Sequence, residues 1–205
     1  GVMQVRSPDG RIRESLVPGA AIGLDSDVFI EQAGLGPDGA LWLAGSNGMS
    51  RWKSGKHRFE PIPGAGGDRV HGFAADARGQ VWLARLGELE SYRWAGGTLQ
   101  RQWRMGTDDG LPLVAAGGLS VDAAGMVWMS SVRGLTRVDP ERRAVRVYGV
   151  RDGLPSQEFD IAPVTSPRDG KILVGSPEGL VLFDPAPVRP NTQAPHLVIV
   201  GIDAR

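Results

Sequence analysis

The sequence predicts an all-β fold, a partial β-propeller of four-stranded antiparallel blades, and three observations carry that prediction. A Trp-centred segment recurs: Gly36-Pro-Asp-Gly-Ala-Leu-Trp42, Asp76-Ala-Arg-Gly-Gln-Val-Trp82, Asp122-Ala-Ala-Gly-Met-Val-Trp128 and Pro167-Arg-Asp-Gly-Lys-Ile-Leu173 stand 40, 46 and 45 residues apart. Units of that length are too small to bury their own apolar face and must stack on their neighbours. Thirty glycines and fifteen prolines are spread along the 205 residues, as many tight turns between short strands require. Within each period the turn signals cut out four short strands, the content of a propeller blade.

In order along the chain, Gly1–Val5, the turn Ser7-Pro-Asp-Gly10 and Arg11–Leu16 read as strand, turn and strand. They align with Gly134–Val138 and Ala144–Tyr148, so residues 1–20 are expected to be the outer strands of a truncated blade. Blades are expected at about 28–62, 70–105, 117–150 and 160–185, the first three complete. The fourth has strands near 161–165, 171–174 and 180–183. Its outer strand is replaced by Asp184-Pro-Ala-Pro-Val-Arg-Pro-Asn-Thr-Gln-Ala-Pro195, because proline cannot pair within a sheet. Residues 186–205 are then a linker and one strand, His196–Ile202, of a following domain. In each repeat the Asp-x-x-Gly or Asp-Gly turn supplies a positive-φ glycine. The Trp after it is expected to lie between adjacent blades.

Composition sets bounds. Twenty-three basic and 23 acidic residues give a formal net charge of zero, which provides no electrostatic footprint for nucleic acid or a membrane surface. No cysteine is present, so a disulfide framework and a thiolate metal site are excluded. The acidic pairs Asp25/Asp27 and Asp108/Asp109 lack the Asp-x-Asp-x-Asp-Gly loop that calcium requires, and read as turn caps. No metal and no cofactor are expected.

The pattern Asp-x-x-Gly-x-Val-Trp-Met-x-x-x-x-Gly-Leu-x-Arg-Val-Asp-Pro resembles the two-component regulator propeller repeat of bacterial sensor proteins. The loop Asp152-Gly-Leu-Pro-Ser-Gln-Glu-Phe159, with its partner Asp109-Gly-Leu-Pro112, adds to the likeness. The exit Gly170–Pro185 followed by Arg189–Pro195 resembles the last blade of such a propeller. That resemblance implies a following Tyr-containing β-sandwich, a transmembrane helix and a dimeric cytoplasmic output module, either histidine kinase or diguanylate cyclase. It implies a periplasmic, ligand-sensing portion of a membrane protein, with no catalysis in these residues. Such propellers have about seven blades, so the flanks of the first and last blades here are expected to be open and to favour self-association.

Alignment on the tryptophans puts Glu31, His71, Gly117 and Ala162 at matching places on the innermost strands. Glu31 and His71 are candidates to hydrogen-bond a polar small molecule or oligosaccharide in the channel. Arg85 and Arg133, in the turns after the second strands, are candidate anion contacts. The alternative is that all four simply keep the channel mouth wet. His57 and His196 read as surface residues. Two other functions stay open: a protein-interaction or adhesion scaffold, and a propeller enzyme resembling streptogramin lyases. The enzyme would use channel histidines among several converging acid/base groups, and of the three histidines only His71 stands on an inner strand.

Overall fold

A computed structural model of the chain describes residues 3–75 and 79–188. The strands are β1 (Met3–Arg6), β2 (Ile12–Leu16), β3 (Ile30–Leu35), β4 (Leu41–Gly45), β5 (Gly48–Lys53), β6 (Arg58–Pro61), β7 (Gly72–Ala75), β8 (Gln80–Arg85) and β9 (Glu88–Ala95). They continue as β10 (Thr98–Met105), β11 (Gly118–Val121), β12 (Val127–Ser131), β13 (Gly134–Asp139), β14 (Ala144–Tyr148), β15 (Val164–Thr165), β16 (Ile172–Ser176) and β17 (Gly179–Phe183). They form the sheets β1-β2, β3-β4-β5-β6, β7-β8-β9-β10, β11-β12-β13-β14 and β15-β16-β17, all antiparallel. Among the described residues the fold is therefore an all-β propeller arrangement of three four-stranded blades, one three-stranded blade and a leading hairpin. The inner strand of the last blade is cut to two residues, against the five expected, because Pro163 immediately before it has no N–H for a ladder. The segment 196–202, His196 and the Asp76 turn lie outside the described residues.

Each blade buries one face against the next. Trp42, Ala44 and Met49 pack on Phe73, Val81, Leu83 and Tyr92. Trp82, Ala84 and Leu89 pack on Leu119, Val127 and Val138, and Trp128 and Leu135 on Ile172 and Val174. The Trp sides of three successive blades thus meet the aliphatic sides of the blades that follow, as the repeat requires. The hairpin β1-β2 lays Leu16 against Leu43 and Phe59 and covers part of the first flank. On the last blade Val164, Leu173 and Leu182 share a register row. With Leu180 they face outward and are exposed, Leu180 at 73% and Leu182 at 61%.

The aspartate of the repeat has a second task besides its turn. Asp122 accepts backbone N–H from Ala124 (2.9 Å) and Met126 (3.0 Å), and its other oxygen accepts the Trp128 indole N–H at 2.8 Å. Asp38 serves the same two tasks through one oxygen, Oδ1 accepting Ala40 N at 3.1 Å and Trp42 Nε1 at 3.0 Å, while its other oxygen meets Arg51. Trp and Asp are therefore one unit: the carboxylate that closes the turn also satisfies the one polar atom that burial of the indole would strand.

The inter-blade loops share a form as well. Leu24 N donates to Gly19 O, Leu111 N to Gly106 O and Leu154 N to Gly149 O, each across a short 3-10 turn ended by a positive-φ glycine, Gly23, Gly110 and Gly153. Asp109 and Asp152 cap the latter two turns through Gly106 N (2.9 Å) and Gly149 N (3.0 Å). The first loop lacks the aspartate, which hid it in the sequence.

Candidate functional site

The inner strands β3, β7, β11 and β15 neighbour one another in that order about an axis. Their C-terminal halves, with the turn 122–126, enclose a cleft of about 870 Å³. Gln32, Phe73, Gln80, Trp82, Arg93 and Glu141 are among the residues lining it. The lining mixes apolar surface, Phe73, Trp82 and Leu119, with polar groups such as Gln32, Arg93 and Glu141, a combination that can hold and orient a polar small molecule. The Asp122 carboxylate at the edge is spent on its turn and on Trp128.

The four residues singled out from sequence lie at the other end of the inner strands. Glu31 is the extra residue of a β-bulge, since Ile30 pairs with Gly45 and Gln32 with Ala44. A bulge re-aims the side chain it carries. Here Glu31 Oε1 meets Arg69 Nη1 at 3.0 Å and His71 Nδ1 at 3.6 Å. The Glu31 and His71 side chains are only 17% and 12% exposed, so the two form a partly buried cluster rather than freely solvated channel walls.

Arg85 joins that rim with its donors engaged. Nε donates to Glu90 Oε2 at 3.0 Å, and Nη1 to the carbonyls of Asp68 (2.7 Å) and Arg69 (3.1 Å). Nη2 donates to the Ala65 carbonyl. The guanidinium braces the loop 65–69, which leaves little of it for an anion. Arg133 is exposed one blade further on, in the β12–β13 turn, where its carbonyl accepts the Gln157 amide at 2.6 Å. The structure thus brings Glu31, His71 and Arg85 to one rim and sets Arg133 apart. His57, read as a plain surface residue, is exposed but contacts Glu14 Oε1 at 2.6 Å, tying the leading hairpin to the first blade.

Burial holds the His71 imidazole below its ordinary range; Glu31 opposes this, and Arg69 and Arg85 add to it. The native state therefore favours neutral His71, and as pH falls through about 6.5 the unfolded chain takes up the proton first. Native stability from this group is present above that value and is lost below it. The expected result is that the wild type loses stability relative to His71→Gln between pH 7.5 and pH 5 in urea melts. Parallel pH profiles would show that His71 has no such linkage.

Sequence reasoning missed Gln32, one residue beyond Glu31. The register makes Gln32, Gly72 and Gly118 equivalent, facing Ala44, Ala84 and Ser130. In the last blade Val164 faces Leu173, nine residues on, whereas Gly34, Ala74 and Ser120 each stand eight before their tryptophan. Alignment on Leu173 was therefore one residue out, and Ala162 belongs with Gly118, not Gly117. A Cβ built on Gly118 would fall 2.2 Å from the Ala162 Cβ. The inner strands close this tightly at the axis, and the Gln32 carboxamide fills what space is left.

No family model matches the chain, and no curated protein matches it in sequence. Solved structures do match. The extracellular domain of BT4673, a proposed hybrid two-component system of B. thetaiotaomicron, superposes with a TM-score of 0.61 at 17% identity, over 77% of this chain and 23% of that one. The corresponding domain of BT3049 from the same organism gives 0.61 at 18% identity, over 85% and 24%. What they share is the propeller fold. The chain spans about a quarter of the length of these two domains. A streptogramin B lyase also matches, with a TM-score of 0.52 at 20% identity over 89% of this chain and 61% of that one. Extracellular domains of proposed two-component systems and a propeller lyase are both among its structural likenesses.

Proposed function

We propose that this chain is the ligand-sensing, extracytoplasmic propeller portion of a bacterial membrane-bound signalling protein, a two-component histidine kinase or a diguanylate cyclase, and is not itself catalytic. The observation that carries this is the cleft at the axis, walled by all four inner strands. A ligand seated there touches every blade at once. Binding could then be felt as a change in how the blades pack, and be passed to a downstream β-sandwich and a dimeric module. The likeness to extracellular domains of proposed hybrid two-component systems supports the same reading. The engagement of Asp122 by Trp128 supports a cleft that holds a molecule rather than transforms it.

The test is a thermal-shift screen of oligosaccharide fragments, sugars and amino acids. A ligand of the folded state at a hundred times its Kd stabilises by about 2.7 kcal/mol. The expected result is a hit whose shift is lost in Arg93→Ala or Glu141→Ala, both on the cleft. A hit indifferent to these variants, or no hit together with capture of a protein partner, would favour the scaffold reading.

The exposed row Val164, Leu173, Leu180 and Leu182 belongs to the proposal as a contact between copies. Light scattering is expected to show the 205-residue chain self-associating, and Leu180→Lys with Leu182→Lys returning it to monomer. A stable monomer of the unaltered chain at high concentration would reject this contact.

A further inference from the structure

An innermost strand has a sheet partner on one edge only, so alternate N–H and C=O groups on its free edge point at the axis. On β7 and β11 the residues in question are Phe73 and Leu119, which occupy equivalent register positions opposite Leu83 and Met129. Both are met by one side chain. Gln32 Oε1 accepts Phe73 N at 3.0 Å and Leu119 N at 3.2 Å. Gln32 Nε2 donates to Phe73 O at 2.9 Å and to Leu119 O at 3.4 Å. One primary carboxamide uses both its N–H donors and both acceptor positions on two strands from different blades.

The space for that carboxamide is made by glycine. A Cβ on Gly72 would stand 2.8 Å from Gln32 Oε1 and 2.7 Å from Gly118 Cα; one on Gly118 would stand 3.1 Å from the same oxygen. Any other residue at either position would collide with the backbone or the amide. The complementarity is chemical too. A carboxylate lacks the two donors, and a secondary amide lacks one of them. Gln32, Phe73 and Leu119 line the cleft, so a molecule held in the cleft has this point within reach.

We infer that the axis is a recognition site for a primary carboxamide, filled by Gln32 as a built-in occupant, and that a cleft ligand carrying such a group takes its place. The exchange frees β3 from β7 and β11 and so links occupancy of the cleft to the seating of the first blade. This rests on the reading that the cleft admits a small molecule.

Propionamide, which copies the end of the glutamine side chain, is the probe. In Gln32→Ala it is expected to shift the amide resonances of Phe73 and Leu119 saturably and to raise Tm, while propionate and butanone do neither. In the wild type the same shifts require at least tenfold more propionamide, because the tethered amide competes. Absence of a saturable shift in Gln32→Ala, or an equal response to butanone, overturns the inference. Should that variant not fold, Gln32→Met keeps the length and removes the hydrogen bonds. It is expected to exchange the Phe73 and Leu119 amides at least tenfold faster than wild type, and unchanged protection would overturn the inference. Propionamide binding to Gln32→Ala with an empty wild-type screen removes only the sensing function. A screen hit with no propionamide binding removes only the axis site.

Discussion

Trp128→Ala is expected to lower the free energy of unfolding by about 3–5 kcal/mol, the range for deleting a large aromatic side chain from a packed core. Trp128 is buried between the third and fourth blades, stacked on Tyr148 with ring centres 5.9 Å apart and edge-on to Phe183 at 5.1 Å. Its removal opens a cavity at the joint the three-stranded blade depends on. Trp128→Phe separates packing from polarity: it keeps most of the ring but strips Asp122 of the indole N–H. Leaving a buried acceptor without its donor costs about 1–3 kcal/mol. Urea melts would read both variants as a fall in midpoint at similar slope. A Trp128→Phe protein as stable as wild type would mean that the Asp–Trp bond contributes nothing beyond its turn.

Glu90→Ala is the second large effect expected, at about 3–5 kcal/mol, because it leaves a partnered charge uncompensated in the interior. Only 4% of the Glu90 side chain is exposed. Its carboxylate accepts Arg85 Nε at 3.0 Å, Tyr92 Oη at 2.9 Å and Arg101 Nη1 at 3.1 Å. Burial pushes the carboxyl upward, yet these hydrogen bonds outweigh it and hold Glu90 below the ordinary range. A depressed carboxylate stabilises the native state above the unfolded value, near pH 4.3, and that stability is lost as pH falls through the folded value. Arg85→Met removes one of the two cationic partners of Glu90 and also the brace on the carbonyls of Ala65, Asp68 and Arg69. The double variant is expected to cost less than the sum of the singles, with a coupling of about 0.5–3 kcal/mol. Strict additivity would show that Arg85 and Glu90 act separately.

The contrast between these two residue groups explains what could be read in advance. Trp42, Trp82 and Trp128 stand in a repeat, and their inter-blade burial followed from size and spacing. Arg85 stands in a turn of the same repeat, and an exposed anion contact was the natural expectation. Its use as a brace depends on the carbonyls of a loop 16 to 20 residues away. Nothing in the residues of that loop encodes acceptors, because every backbone carries them. Glu31 falls on β3 and His71 just before the start of β7, but the meeting of Glu31 with Arg69 and His71 follows from a bulge, and a one-residue pairing irregularity has no compositional mark.

The blades, their order and the aspartate–glycine turns were set by the sequence alone, because strand alternation, turn conformation and repeat period act over a few residues at a time. The axis was decided only by tertiary structure. Gln32 reaches backbone groups 41 and 87 residues further along the chain, and those groups are free only because β7 and β11 each turn an unpaired edge inward. A glutamine at that place in the sequence looks like any polar strand residue. Three blades must close on one another before it has a role.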